Sequence, residues 1–268
     1  MRVLFFLTFL LTLSTFECQS SFTRVDEMED IFHYFDDADA QTLVLFDIDM
    51  VLIQPGDPAF QMANMKRFST IAKRVMKDIP AGKRMQFLSL MMISSTPVLL
   101  DEHTPVYLEQ LIRRGITVMG LTANLTGEFG PIKNMEEWRI GVLNRFGIDF
   151  SKSAPYKSKI SFNHLASYRG YYSTYLDGVL FVNGAVVSKG DALLAFLEMA
   201  RFHPKKIIFI DDREENLKSV EEAIHGHDLS IDFIGLHFTG AQNYPSIPVS
   251  ASDFESRWEE LASQVKEM

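Results

Sequence analysis

The apolar run Thr42–Phe46 ends in two carboxylates, Asp47 and Asp49. The run is aliphatic and β-branched and lacks alternating polar positions, which is typical of a strand that is buried on both faces of a parallel sheet. Open sheets of this kind bind their ligands outside the carboxyl ends of the strands. The run therefore predicts an α/β fold, and it places Asp47 and Asp49 at the edge of the sheet where such folds do their chemistry.

Further polar residues follow later strand and helix predictions in the order hydroxyl, lysine, acid pair. They are Thr122 after the apolar run 117–121, Lys189 at the start of a helical pattern, and Asp211 and Asp212 after the apolar run 206–210. Taken singly, each has an ordinary explanation: a strand-end cap, a solvated lysine and an acid-rich helix start. Their joint occurrence, each at the boundary of a predicted element, favours one shared catalytic site.

This order of side chains resembles the four motifs of the haloacid dehalogenase (HAD) superfamily over roughly residues 40 to 240. The matching positions are Asp47, Asp49 and Val51 for the D-x-D-x-[T/V] motif, Thr122 for the second motif, Lys189 for the third, and Asp211-Asp212 with Asn216 for the acidic fourth. Asn216 stands where many relatives carry an acid. Residues 178–190 and 209–216 also show a looser likeness to a secreted, uncharacterised HAD-like family of intracellular bacteria.

The resemblance implies a Rossmann-like parallel sheet flanked by helices, with a helical cap inserted after the first strand. It also implies that Asp47 attacks phosphorus to form an aspartyl-phosphate, while Asp49 moves the protons of the leaving oxygen and the attacking water. Thr122 would donate to a phosphoryl oxygen, and Lys189 would balance negative charge. Mg²⁺ is the implied cofactor, and its implied ligands are Asp47, the backbone carbonyl of Asp49, and Asp212, with Asp211 holding a ligand water.

The chain divides into a leader, a core and an insertion. Residues 1–20 have the layout of a secretory signal peptide, with Arg2 before the apolar stretch Val3–Leu13 and small polar residues up to Ser20. Residues 54–103 show helical periodicity and are predicted to be a helical cap insertion, and residues 21–53 and 104–268 are predicted to form the core domain. We therefore expect an exported protein, either periplasmic or secreted.

Length and charge exclude several classes of function. A chain of 268 residues with 47% hydrophobic residues can bury a core domain and a small accessory domain. The net charge of -9 argues against sequence-independent binding to nucleic acid. A small phosphorylated substrate is compatible with this charge, because a metal and a lysine can make the electrostatic potential positive inside one cleft.

After residue 20 no segment is apolar for long enough to span a bilayer, so stable membrane insertion is not expected after signal cleavage. The sequence does not identify a protein partner.

Cysteine chemistry is also limited by the sequence. The single cysteine, Cys18, lies before the expected cleavage site near Ser20. The mature protein is therefore expected to lack disulfides, thiolate metal sites and cysteine nucleophiles.

Local signals predict several helix ends and one hairpin. Thr104 is predicted to be an N-cap with Pro105 at the first helical position, and Asn134 to cap the next helix. Asn183-Gly184 lies between apolar flanks, which predicts a two-residue hairpin turn. Residues 152–175 are polar, aromatic and irregular, and the last sixteen residues, 253–268, are typical of a surface helix.

The function predicted from these residues is an exported Mg²⁺-dependent phosphomonoesterase. Retention of both Asp47 and Asp49 favours an enzyme, because haloacid dehalogenases of the same superfamily lack the second acid and have no use for a metal. Two alternatives stay open: a non-catalytic or host-directed binding protein on the same scaffold, and a phosphotransferase. The residues of the insertion form no motif that identifies a substrate.

Overall fold

The computed structural model describes residues 22–243 and 247–268. The predicted signal peptide, with Cys18, lies outside these residues. The strands are β1 (Thr23–Val25), β2 (Thr42–Phe46), β3 (Ile53–Pro55), β4 (Pro97–Leu99), β5 (Thr117–Thr122), β6 (Ile160–Ser161), β7 (Thr174–Leu176), β8 (Val179–Phe181), β9 (Lys206–Asp211) and β10 (Asp232–Phe238).

Eight of these strands form one sheet in the order β1-β10-β9-β2-β5-β8-β7-β6. Neighbouring strands from β1 to β8 in this order pair in parallel, and β7 and β6 add an antiparallel edge. Strands β3 and β4 form a separate antiparallel pair. The predicted α/β fold with a mostly parallel central sheet is confirmed.

The α-helices are α1 (Met28–Ile31), α2 (Met62–Arg67), α3 (Ser69–Lys77), α4 (Arg84–Ile93), α5 (Thr104–Arg113), α6 (Met135–Arg145), α7 (Lys189–Ala200), α8 (Glu214–His227), α9 (Gly240–Asn243) and α10 (Ala251–Glu267). None of these helices combines the length and the apolar character that a membrane crossing requires.

Helices cover both faces of the sheet, and β2 shows why. Its side chains alternate between two hydrophobic clusters: Val44 and Phe46 pack on the side of α5 and α6, and Leu43 and Leu45 on the side of α7 and α8. All of β2 is buried, so a continuous apolar run is what this position in the sheet requires.

The topology brings the predicted site residues to one edge. Strand β2 lies between β9 and β5, with Phe46 opposite Ile210 on one side and Gly120 on the other. Since the three strands are parallel, their carboxyl ends meet at the same edge of the sheet. Asp47 follows β2 directly, and Thr122 and Asp211 are the last residues of β5 and β9.

Residues 54–103, the predicted insertion, follow β2 and form a helical layer between β3 and β4. Helices α3 and α4 of this layer pack against the C-terminal helix α10. The aromatic side chain of Trp258 on α10 stacks on Phe254 and contacts Phe87 and Phe60, and its indole N–H donates to the carbonyl of Ala59 at 2.8 Å. The predicted surface helix is therefore amphipathic, with its apolar side on the insertion.

The hairpin predicted at Asn183-Gly184 is wrong. The hairpin turn is Asp177-Gly178, between β7 and β8, and both residues have positive φ, 47° and 80°. Asn183 also has a positive φ, 57°, but it follows β8 and leads toward α7. The Asn-Gly sequence indicates a backbone in the left-handed region. That conformation is present at Asn183, but in a loop that leads toward α7 and not in a hairpin turn.

Helix boundaries differ in part from the predictions. The prediction of Thr104 as an N-cap is wrong: it is the first helical residue, its hydroxyl has no hydrogen-bond partner, and the preceding N–H of His103 donates to the carboxylate of Asp101 at 2.7 Å. The prediction for Asn134 is confirmed, since its side chain accepts from the N–H of Glu137 at 3.1 Å. The helical pattern over 60–76 is divided between α2 and α3.

Candidate active site

The centre of the site is a buried lysine between two carboxylates. The ammonium Nζ of Lys189 lies 2.9 Å from Oδ1 of Asp47 and 2.6 Å from Oδ2 of Asp211. The side chain is delivered by the first residue of α7, where Ser188 caps the helix by accepting from the N–H of Asp191. Only 2% of Lys189 is exposed, so the predicted lysine is not a solvated surface residue.

Asp211 is held on every side. Besides Lys189, it accepts hydrogen bonds at Oδ1 from the backbone N–H of Arg213 and from Nδ2 of Asn216, both at 2.9 Å. Asn216 thus orients the carboxylate of Asp211. With both oxygens engaged, Asp211 is better suited to positioning its neighbours than to binding a metal directly.

Asp212 differs from Asp211 in that no group of the described residues donates a hydrogen bond to its carboxylate. One carboxylate oxygen from each of Asp47, Asp211 and Asp212 lies within 4.8 Å of the others. Asp47 accepts from Lys189 and from the N–H of Ile48 through the same oxygen, Oδ1. Its other oxygen and the carboxylate of Asp212 are therefore the groups that can bind a cation.

These donors fit Mg²⁺, which prefers oxygen ligands. Within the described residues, the four carboxylates Asp47, Asp49, Asp211 and Asp212 face two buried cations, Lys189 and Arg139. Fully ionised, they would leave two negative charges in excess, which one divalent cation would balance. The residues present therefore suit a hard divalent metal in both ligand type and charge.

The electrostatics of the site reflect the burial and the crowding of its carboxylates. Burial raises the pKa of Asp47 to about 7, with Lys189 opposing this and Asp211 and Asp49 adding to it. Burial, Asp211 and Asp47 also raise the pKa of Asp212 well above its ordinary value. Burial alone would lower the pKa of Lys189, but the two carboxylates beside it outweigh burial and raise it.

Asp49 and Thr122 are linked by Asn124, a residue for which the sequence predicted no role. The side-chain amide of Asn124 donates to Oδ2 of Asp49 and, at 2.7 Å, to the hydroxyl of Thr122. The backbone N–H of Asn124 also donates to this hydroxyl, at 3.2 Å. Thr122 therefore accepts twice and keeps its own O–H available as a donor.

A buried arginine was missed by the sequence analysis. Nη2 of Arg139 lies 3.1 Å from Oδ1 and 3.3 Å from Oδ2 of Asp49, and 3.4 Å from Oδ1 of Asn124. Arg139 lies on α6 among residues of mixed polarity, and arginine on a helix is most often exposed. The one feature of the sequence that could have indicated Arg139 is the position of its helix. The helix capped by Asn134 directly follows the strand that carries Thr122.

The loop that holds Asn124 is itself anchored by Asn183. Oδ1 of Asn183 accepts from the N–H of Thr126 at 2.8 Å, and its amide donates to the Thr126 hydroxyl at 2.6 Å and the carbonyl of Tyr171 at 3.0 Å. Asn183 is fully buried. Asn183, which was predicted to form a hairpin turn, therefore fixes the loop whose Asn124 side chain hydrogen-bonds to both Thr122 and Asp49.

Comparisons with known proteins assign a family but no activity. An uncharacterized protein of Rickettsia bellii is 27% identical over 199 residues, 73% of this chain and 68% of the relative. One of Rickettsia typhi is 27% identical over 201 residues, 73% of this chain and 67% of the relative. One of Rickettsia felis is 33% identical over 141 residues, 52% of this chain and 47% of the relative. No solved structure matches the chain.

The family match covers the sheet, the insertion and the site together. A family model described as "Protein of unknown function (DUF2608)" matches residues 24–267. This span includes every predicted site residue as well as Asn124 and Arg139. The chain belongs to the DUF2608 family.

Proposed function

We propose that this protein is an exported, Mg²⁺-dependent phosphomonoesterase that works through an aspartyl-phosphate on Asp47. The observation that carries the proposal is the buried contact of Lys189 with Asp47 and Asp211, beside the unengaged carboxylate of Asp212. A phosphate monoester is a dianion that repels a carboxylate nucleophile, so its attack requires positive charge close to that nucleophile. Lys189 supplies one such charge, and the oxygen donors suit a second.

The residues divide the reaction into two steps. In the first, a carboxylate oxygen of Asp47 bonds to phosphorus, the bond to the leaving oxygen breaks, and Asp49 gives that oxygen its proton. In the second, Asp49 takes a proton from water as the water attacks phosphorus and frees Asp47. The hydroxyl of Thr122, which keeps its O–H available, donates to a phosphoryl oxygen in both steps.

Asp47, Asp212 and the backbone carbonyl of Asp49 would hold the Mg²⁺, and Asp211 would position a ligand water. When bound, the cation would neutralise negative charge on the phosphoryl oxygens. Lys189 contacts Oδ1 of Asp47 and so holds the orientation of this carboxylate.

The HAD-type arrangement belongs to the same proposal, with residues 54–103 as a cap. Two contacts support it. The side chains of Met85 and Leu90 on α4 pack against the cluster of Leu125, Phe129 and Met135, which extends from the loop after Asn124 to the first residue of α6. The insertion thus lies against the part of the site that holds Asp49, where it can shield the substrate from water.

Export is proposed on the sequence alone, from the leader-like residues 1–20. The native protein should be recovered outside the cytoplasm with a mass that corresponds to removal of the segment near Ser20. Recovery of a cytosolic protein that begins at Met1 would contradict export and leave the enzymatic proposal unaffected.

The activity is tested with an artificial aryl phosphate. The purified protein should hydrolyse it with Mg²⁺ and lose this activity in excess chelator, and full activity in chelator would contradict the metal assignment. In the Asp49→Asn variant the second step should slow more than the first, because an aryl leaving group scarcely needs protonation. Phosphate should therefore accumulate on Asp47 and be detected by acid-quenched mass spectrometry.

The control for trapping is Asp47→Asn, which should carry no adduct. Absence of an adduct, together with no turnover of a broad panel of phosphomonoesters by the parent protein, would favour the binding-protein alternative.

A further inference from the structure

Arg139 is buried, and a buried charge is energetically costly unless an opposite charge pairs with it. Only 1% of the residue is exposed, and its guanidinium lies 5.1 Å from the ring of Trp138. Transfer of an isolated charge from water to a protein interior costs several kcal/mol unless it is paired. The observed partners are Asp49 and Asn124, and the carboxylate of Asp49 supplies the charge that pairs with the arginine.

The contact determines the orientation of Asp49. One carboxylate oxygen, Oδ2, is approached both by Nη2 of Arg139 and by the amide of Asn124, while Oδ1 lies 3.1 Å from the same Nη2. Lys189, by contrast, makes its ion pairs with Asp47 and Asp211. The carboxylates at positions 47 and 49 are therefore held by different cations from different helices.

The helix that carries Arg139 is held in turn. Asn134 caps the first turn of α6. The buried carboxylate of Glu136 on the same helix accepts from the N–H of Gly127 at 2.8 Å, which ties α6 to the loop after Thr122. A helix fixed in this way presents Arg139 to Asp49 from a constant position, and small errors in orientation are expensive in catalysis.

We propose that Arg139 is a positioning residue that acts through Asp49, by holding its carboxylate in the orientation for proton transfer. The inference rests on the proposed phosphatase function. A role in binding the phosphoryl group directly is a different mechanism, because it would act independently of Asp49. The two are separated by asking whether the effect of removing Arg139 depends on Asp49 being present.

The experiment is a double-mutant cycle in the full-length protein with saturating Mg²⁺ and an aryl phosphate as the probe. Arg139→Gln should lower kcat by about 100-fold, as expected when a reacting group is displaced by about 1 Å, with KM changed only a few-fold. In the Asp49→Asn background the same substitution should cost less than about 3-fold further, since the group that it positions is gone. Arg139→Lys should recover part of the loss.

Arg145→Gln is the matched control, because Arg145 lies on the exposed side of the same helix. It should leave kcat and the unfolding temperature unchanged. If Arg139→Gln does not fold, the cycle is made with Arg139→Lys, which keeps the charge but not the planar pair of donors.

The outcomes separate the two proposals. Multiplicative losses in the cycle, or a loss confined to KM, would overturn the positioning role while the phosphatase proposal stands. No turnover by the parent protein would overturn the phosphatase proposal and this inference with it.

Discussion

Asp47 and Asp49 stand two residues apart in the chain, and each contacts a buried cation, but the two pairs are built differently. Lys189 bridges two carboxylates at 2.9 and 2.6 Å and lies beside a third acid, Asp212. Arg139 contacts one carboxylate at 3.1 Å, with a neutral amide beside it. The lysine cluster has an excess of negative charge, whereas the arginine pair is balanced.

The difference separates two tasks. An acid cluster with excess charge attracts cations, and it provides carboxylate oxygens that can bind them. A balanced pair needs no further ion and instead restricts one side chain to one orientation. We therefore assign charge neutralisation to the Lys189 cluster and proton transfer to the Arg139 pair. Four predictions test this contrast.

The largest effect is expected at the nucleophile. Asp47→Asn should reduce turnover to below about 1% of the parent value, because the amide has nearly the same shape but cannot attack phosphorus. Steady-state rates with an aryl phosphate measure this, with circular dichroism to confirm the fold. Residual turnover well above that level would place the nucleophile elsewhere and remove the basis of the contrast.

Removal of the bridging lysine should affect both stability and chemistry. Lys189→Met leaves Asp47 and Asp211 without their shared cation, and breaking a buried ion pair on one side costs about 3–5 kcal/mol. Urea unfolding without metal should show this loss, and Mg²⁺ should restore part of it. The control is Lys218→Met, since Lys218 is an exposed residue of α8 that pairs with Glu222 at 3.7 Å. An equal effect in both variants would contradict the role of Lys189.

The raised pKa of Asp47 predicts a dependence on pH. Since burial raises this pKa from 3.8 to about 7, the folded protein binds a proton more tightly than the unfolded chain does. The free energy of unfolding of the metal-free protein should therefore fall as pH rises from about 4 to about 7. Mg²⁺ must displace the same proton, so its affinity should decrease about tenfold per unit below pH 7.

Calorimetric titration of Mg²⁺ between pH 5.5 and 8 is the measurement, with unfolding followed in parallel. Asp47→Asn should make both profiles shallower, with the remaining slope coming from Asp212, whose pKa is also raised, and it should stabilise the metal-free protein above pH 7. Profiles that are unchanged in this variant would assign the titration to another group.

The smallest effect is expected at Asn216. Its amide donates to Oδ1 of Asp211 at 2.9 Å, but the backbone N–H of Arg213 donates to the same oxygen. Asn216→Ala should therefore destabilise the protein by about 1 kcal/mol and weaken Mg²⁺ binding only slightly. A loss as large as that of Lys189→Met would mean that Asn216 is a direct part of the metal site.

Local sequence determined much of the Lys189 cluster. An uninterrupted apolar run has to be buried on both faces, and a polar residue directly after such a run has to leave the sheet at its carboxyl edge. This logic placed Asp47, Thr122 and Asp211 at one edge, and the fold confirms the arrangement. The Ser188 cap and the pattern after it likewise determined where α7 starts and hence where Lys189 lies.

The tertiary structure decided the features that depend on contacts distant in the chain. Asn183 had the sequence of a hairpin turn, but its amide meets the loop after Thr122, so the turn is made at Asp177-Gly178 instead. The sequence around Arg139 did not mark it as a site residue, because helical periodicity does not reveal which neighbour a side chain meets. Its pairing with Asp49, 90 residues earlier, exists only because parallel strands bring α6 and the end of β2 to the same edge. A chain's own pattern determines which residues are buried at a strand's end, whereas the partner of a buried charge is decided by the packing of separate segments.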